Sequence, residues 1–238
     1  MSAHRRIILL DEIRGFCILC MVYYHAFYLF GTQLNWQFCI RLFRFFEPLQ
    51  LLFASAFICI SGICSNFSRS VLRRGLYLCA AALAVSGVTI FLLPRLGFDT
   101  FQDWFGILHC LGLCMVLTAL LRKPLAYVPT KIGMSVCIAL FALSWYLCSV
   151  IRVQNPYLFP FGFQTETFFS ADYFPLFPHL FTFLLGVLIG RHWQTSPPHD
   201  WVYQTHVRFF RVIGQRTLWI YLLHVPILLL CIKLIERI

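Results

Sequence analysis

Leu10-Asp11-Glu12-Ile13-Arg14-Gly15-Phe16-Cys17-Ile18-Leu19-Cys20-Met21-Val22-Tyr23-Tyr24-His25-Ala26-Phe27-Tyr28-Leu29-Phe30 is the stretch whose reading decides the fold. From Phe16 to Phe30 it holds no Asp, Glu, Lys or Arg. An α-helix over residues 7–30 is long enough, at ~1.5 Å per residue, to cross a hydrocarbon core of about 30 Å. Arg14 and His25 nevertheless lie inside it. An ionisable residue in a membrane helix is costly, so each is a functional candidate by default. Eleven residues at roughly 100° each return to nearly the same face, about 16 Å further along the axis. One stripe of this helix thus carries a fixed cation near one end and an imidazole near the other. His4-Arg5-Arg6 ahead of the run resembles the start of a signal peptide. The run is too long for one, is interrupted by Asp11, Glu12 and Arg14, and lacks a small-x-small cleavage site, so it is expected to be a lasting helix.

The rest of the chain agrees. Of 238 residues, 60% are hydrophobic, 18% aromatic and 12% charged, with mean hydropathy +0.79. Soluble domains carry roughly 25% charged residues, and no polar stretch here is long enough for a soluble domain. The expectation is one membrane domain over residues 1–238. The net charge of +10 does not point to nucleic acid, because the basic residues sit in short segments between apolar runs, where they suit anionic headgroups. The eleven cysteines lie mostly inside apolar runs and read as soft packing residues. Cys17-x-x-Cys20 has no second pair and is a weak metal signal; no metal is expected.

Further helices are predicted over residues 48–67, 75–93, 105–121, 132–151, 175–190 and 217–234, giving an all-α bundle of about seven transmembrane helices. An amphipathic stretch with Arg41, Arg44 and Glu47 on one face is expected to lie in the interface before the second. With seven crossings and a cytoplasmic N-terminus, twelve Lys and Arg fall on the cytoplasmic side and six outside. The positive-inside rule therefore predicts the N-terminus in and the C-terminus out, in the cell membrane. The sequon Asn66-Phe67-Ser68 then falls on the cytoplasmic side and is discounted.

By this topology His109 shares a level with His25, and Asp172 precedes the sixth helix at the same outer level. Two imidazoles, a carboxylate and Tyr173 could converge there to deprotonate an acceptor hydroxyl or amine. Tyr173 and Trp104 are read as interfacial anchors. His224, two residues before Pro226, is read as a structural donor. At the cytoplasmic ends, Arg73, Arg74, Arg191 and Arg216 join Arg14 as candidates for holding an anionic group, although the positive-inside rule predicts them anyway.

Four segments carry a resemblance: Leu10-Asp-Glu-Ile-Arg14-Gly15 with His25; Phe105-Gly-Ile-Leu-His109-Cys-Leu-Gly112; Asp172-Tyr-Phe-Pro-Leu-Phe-Pro178 with Gly186 and Gly190; and Gly214-Gln-Arg-Thr-Leu-Trp-Ile-Tyr-Leu-Leu-His224-Val-Pro226. In this order they resemble the bacterial branch of the heparan-alpha-glucosaminide N-acetyltransferase catalytic-domain family. The Arg14-x10-His25 spacing is also similar to a motif of the acyltransferase-3 proteins, whose histidine is considered catalytic. The resemblance implies transfer of an acyl group, such as acetyl, from cytoplasmic acyl-CoA (acetyl-CoA) to an outer acceptor such as a sugar. Catalytic roles are then expected for His25, His109 and Asp172, and cofactor contacts for Arg14, Arg73, Arg74, Arg191 and Arg216. The eukaryotic enzyme of the family has Asn where His25 stands, so the heparan substrate is not carried over. An oligomer is compatible with this reading. The alternative is a proton-coupled transporter or flippase with His25 and His109 as its relay, though the halves show no repeat.

Overall fold

The structure is a computed structural model that describes residues 6–98 and 101–237. Nine α-helices follow one another among them: α1 (Ile8–Gln33), α2 (Gln37–Ser65), α3 (Val71–Gly87), α4 (Ile107–Leu120), α5 (Arg122–Tyr127), α6 (Thr130–Val150), α7 (Leu176–Thr195), α8 (Arg208–Gly214) and α9 (Thr217–Ile235). No strand occurs among the described residues, and five helices (α1, α2, α3 with its continuation to Leu92, α6 and α9) are long and apolar enough to cross a membrane. The protein is an all-α, multi-pass membrane protein. Each predicted span has a helix. Of the remaining two, α4 is a shorter apolar helix of 14 residues, and α7 carries Arg191 and His192 in its last turns.

The chain divides into two compact units, Met1–Phe57 with Pro198–Ile238, and Ile58–Pro197. α2 passes from the first to the second. It also corrects an expectation: the stretch with Arg41, Arg44 and Glu47 is not a separate interfacial element but the start of one 29-residue helix with Pro48 inside it. Proline removes one backbone donor and crowds the preceding turn. In an apolar setting the remaining backbone bonds cannot be traded for water, so the helix continues through it.

In the first unit, α1 packs on α8 and α9. Its crossing with α8 is glycine against backbone. A Cβ on Gly15 would strike the Phe210 carbonyl, and one on Gly214 the Asp11 carbonyl. Such small residues let two helix backbones meet where apolar burial gives no advantage over lipid. The acids of the first turn of α1 are spent locally: Asp11 pairs with Arg6 at 2.6 Å, and Glu12 Oε1 accepts the amides of His206 and Val207 at 2.8 and 2.9 Å. The latter satisfies donors at the start of α8 that no helical carbonyl can reach. α1 and α9 run parallel, with Arg14 bonded to Thr217 and His25 to His224. Two parallel spanning helices start on the same side. A protease-cleavable tag at each end of the chain is therefore expected to be cut from opposite faces of sealed vesicles; cleavage of both from one face would overturn the odd crossing number.

In the second unit, α3 meets α4 through Gly75 and Gly112, and the end of α2 meets α7 through Gly62, Gly186 and Gly190. Ser70 caps α3 by accepting the Arg73 amide. α3 runs into a π-helical turn over Val88–Leu92 before Pro94 ends it. The segments before α4 and α7 are joined by a bridge between Phe105 and Tyr173, with the Phe174 amide on the Phe105 carbonyl at 2.9 Å. That junction sets Asp103 and Asp172 side by side.

Candidate functional site

The first unit holds Arg14, His25 and His224, which the sequence reads as a structural donor only. His25 and His224 are 2% and 6% exposed. His25 Nδ1 lies 2.9 Å from His224 Nε2. The rings are 16° from coplanar with centroids 5.1 Å apart, the geometry of an in-plane N–H···N bond rather than of stacked faces. The other nitrogen of His224, Nδ1, meets the Tyr221 carbonyl one turn back. Pro226 follows within α9, as the structural reading of His224 required, but the imidazole is also tied to His25.

Arg14 does not pair with Asp11, which takes Arg6 instead. It donates to Thr217 Oγ1 at 3.2 Å and lies over the Phe57 ring at 5.6 Å. Its Nε is buried without a partner among the described residues. Among those residues it makes no carboxylate contact, so an anion is the natural complement to its charge. Next to Thr217 stands Arg216, at one end of a groove of about 340 Å³ between α1 and α9, walled by Leu19, Val22, Trp219, Ile220 and Leu223 and reaching His224. The lining is apolar apart from its arginine and histidine. It offers a cationic end and an imidazole about 12 Å along α9, eight residues on.

The second unit holds His109 and Asp172, brought together with a residue not singled out from sequence, Asp103. Asp103 and Asp172 are 3% and 2% exposed. Their Oδ2 atoms both lie 2.6 Å from the point where a Cβ on Gly106 would stand. Only glycine admits that convergence at the start of α4. The Ile107 amide, at the helix N-terminus, donates to Asp172 Oδ2 at 3.3 Å, where the helix dipole favours negative charge. Ser86 donates to the Asp103 carbonyl at 2.6 Å and contacts His109 Nε2 at 3.4 Å. Thr89, in the π turn, accepts the Asp103 amide at 3.2 Å. A π turn cradling a buried acid fits the tendency of such turns to occur at functional sites.

Burial, and then the charge of Asp172, push the Asp103 carboxyl well above the ordinary carboxylate range, while the Gly106 amide pulls it back in part. Two ionised carboxylates whose oxygens are no more than about 5 Å apart repel by at least roughly 3 kcal/mol at an effective dielectric of 20, so the pair retains a proton. The folded protein then holds a proton that the unfolded chain has released. Stability should be greatest at acid pH and fall as pH rises through the raised value. Melting of detergent-solubilised protein from mildly acidic to mildly alkaline pH is expected to show that decline, flattened in Asp103→Asn. Equal slopes in the two proteins would place both charges elsewhere.

Among the remaining candidates, Tyr173 donates to the Phe159 carbonyl at 2.7 Å, and Trp104 is exposed. Arg191 gives its guanidinium to the Leu125 and Val128 carbonyls and to Thr130 Oγ1, closing the α5–α6 turn. Arg73 bonds Tyr77 at its own helix surface; Arg74 is exposed on the same turn. Among the described residues no group of His, Cys, Asp and Glu is arranged to hold a metal ion.

Apolar helices long enough to cross a membrane, with imidazoles and an arginine set inside them, define a multi-pass membrane protein. The chain belongs to the heparan-alpha-glucosaminide N-acetyltransferase catalytic family, whose model matches residues 6–226. It is accordingly a membrane transferase of the acetyltransferase type. No curated protein and no solved structure matches it.

Proposed function

We propose that this protein moves an acyl group, acetyl by the family's chemistry, from acyl-CoA bound at the cytoplasmic side of the cell membrane to an acceptor, such as a sugar, at the outer face. The observation that supports it best is the α1–α9 groove lined by Arg216 and His224, with Arg14 bonded to Thr217 next to Arg216 and His25 bonded to His224. Coenzyme A is an anionic head on a long thin arm ending in a thioester. The arginines suit its phosphates, through charge-assisted hydrogen bonds, and the apolar walls suit its arm. The thioester carbonyl then comes within reach of an imidazole.

In the proposed step an acceptor hydroxyl or amine attacks the thioester carbon. The new C–O or C–N bond forms, the C–S bond breaks, and His25 takes the proton of the nucleophile and returns it to the departing thiolate. His109 and Asp172 of the second unit are candidate assisting groups, and Arg73, Arg74 and Arg191 are further phosphate candidates. Arg191 is the weakest of these, because its guanidinium is already engaged.

Isothermal titration of the purified protein with acetyl-CoA tests the reading, and saturable binding is expected. A guanidinium–phosphate bond is worth roughly 1.5–3 kcal/mol, so Arg14→Ala should weaken affinity about ten-fold or more. CoA lacking its 3′-phosphate should also bind less tightly. Absence of saturable binding to the wild-type protein would remove the acyltransferase reading in favour of a proton-coupled transporter.

A further inference from the structure

The pairing of His25 with His224 has a direction that the tautomers fix. A backbone carbonyl can only accept. The contact between His224 Nδ1 and the Tyr221 carbonyl therefore places a proton on Nδ1 of His224. A neutral imidazole with Nδ1 protonated carries its lone pair on Nε2. Nε2 of His224 is thus the acceptor of the 2.9 Å bond, and Nδ1 of His25 is the donor. Since Nδ1 of His25 holds the proton, its basic lone pair is on Nε2, across the ring. Three groups, His25, His224 and the Tyr221 carbonyl, make a one-way chain of hydrogen bonds, each imidazole donating to the next group, that leaves a defined basic nitrogen on His25.

We infer that His224 is the positioning residue of the catalytic imidazole: it fixes the tautomer and the plane of His25 and leaves Nε2 as the base. The inference rests on the acyl-transfer reading for its kinetic consequence and on the geometry alone for the tautomer. When Nε2 of His25 takes the acceptor's proton, the imidazolium still donates from Nδ1 to Nε2 of His224. The new positive charge is therefore held by an oriented acceptor, and His224 itself neither gains nor loses a proton. Without His224, the ring of His25 could rotate about its side-chain bonds and place its proton on either nitrogen, so part of the population would present an N–H where the base is needed. A carboxylate does this for many working histidines. Here a neutral imidazole does it, inside a membrane helix, where a further charge would be costly. The two histidines are set facing each other by the packing of α1 on α9, and both are almost fully buried.

Two substitutions separate positioning from packing. His224→Gln offers a side-chain carbonyl oxygen to the Nδ1–H of His25 and an amide N–H to the Tyr221 carbonyl, so it preserves the direction of the chain. His224→Leu fills the space and offers no acceptor. With acetyl-CoA as donor, His224→Leu should lower kcat on the order of 10–100-fold, the scale seen when a partner that orients a working imidazole is lost. KM for acetyl-CoA should stay within a few-fold, and His224→Gln should recover most of the rate. Nitrogen-15 resonances of labelled histidines supply a readout without turnover: His25 is expected in the Nδ1–H form in the wild-type protein and as a mixture in His224→Leu. Equal rates in the Gln and Leu variants, or His25 in the Nε2–H form in the wild type, would overturn the inference. A wild-type protein that shows the expected tautomer but no transfer from acetyl-CoA would instead overturn the acyl-transfer reading and leave the chain of donors standing.

Discussion

His25→Ala is expected to lower acyl transfer by about 10²–10⁴-fold, the usual loss when a general base is removed, while acetyl-CoA binding stays within a few-fold of wild type. The separation follows from where the groups lie. Arg14 reaches Thr217 at the start of α9, and His25 meets His224 seven residues further along it. Arg14 and the base are therefore about three helical turns apart on α1 and their partners about two on α9, and loss of the imidazole leaves the arginines intact. The base acts on the proton of the acceptor rather than on the coenzyme. Its removal should thus appear in kcat and in single-turnover rates, not in titrations with acetyl-CoA. His109→Ala should give a smaller or acceptor-dependent loss. Full turnover in His25→Ala together with a dead His109→Ala would transfer the base assignment to α4 and the acid pair beside it.

Gly15→Leu and Gly186→Leu should each prevent accumulation of folded protein. At Gly15 a side chain would enter the Phe210 carbonyl of α8, and at Gly186 it would enter the Cys59 carbonyl of α2. These are backbone atoms held in helices, with no rotamer to turn aside. Overpacking a core typically costs about 1–3 kcal/mol where neighbours can shift, and here two helix axes would have to separate. Gly87→Ala is the control. Its Cβ would meet nothing within 4 Å and its backbone is already right-handed helical. Lower backbone freedom in the unfolded chain should leave that variant as stable as wild type or stabler by roughly 0.4–1 kcal/mol. Size-exclusion profiles of fluorescently tagged protein before and after heating read both effects. A monodisperse Gly15→Leu with an unchanged melting point would show that α1 and α8 do not cross at Gly15.

What the sequence by itself determined is what depends on length and on polarity. An apolar run of twenty residues has to bond its own backbone, so each predicted span became a helix, and the class of the fold followed from composition. Arg14 and His25 were legible for the same reason: a charge in an apolar run is conspicuous, and helical periodicity places the two on one stripe without reference to any other element. Asp172 and His109 stood out as polar residues at apolar boundaries. The stretch before Pro48 was not legible, because a proline next to Glu47, after a segment with Arg41 and Arg44, has the pattern of a helix start. Continuation of α2 depends on the absence of water to compensate a broken helix.

Tertiary structure alone decided the partners. Asp103 lies in a connecting segment, and nothing in Gln102-Asp103-Trp104 announces that a π turn and Gly106 bring it against Asp172 from 69 residues away; an acid next to Trp104, shortly before an apolar helix, was the trace. His224 faces His25 because α1 and α9 lie parallel, a packing that periodicity within either helix does not announce. Asp11 turns to Arg6, ahead of the helix, and leaves Arg14 without a carboxylate among the described residues, a choice made by side-chain geometry. A chain's own spacing fixes which residues share a helix face. Which face meets which, and hence whether an imidazole has an acceptor or an acid a second acid beside it, is fixed only when the helices pack.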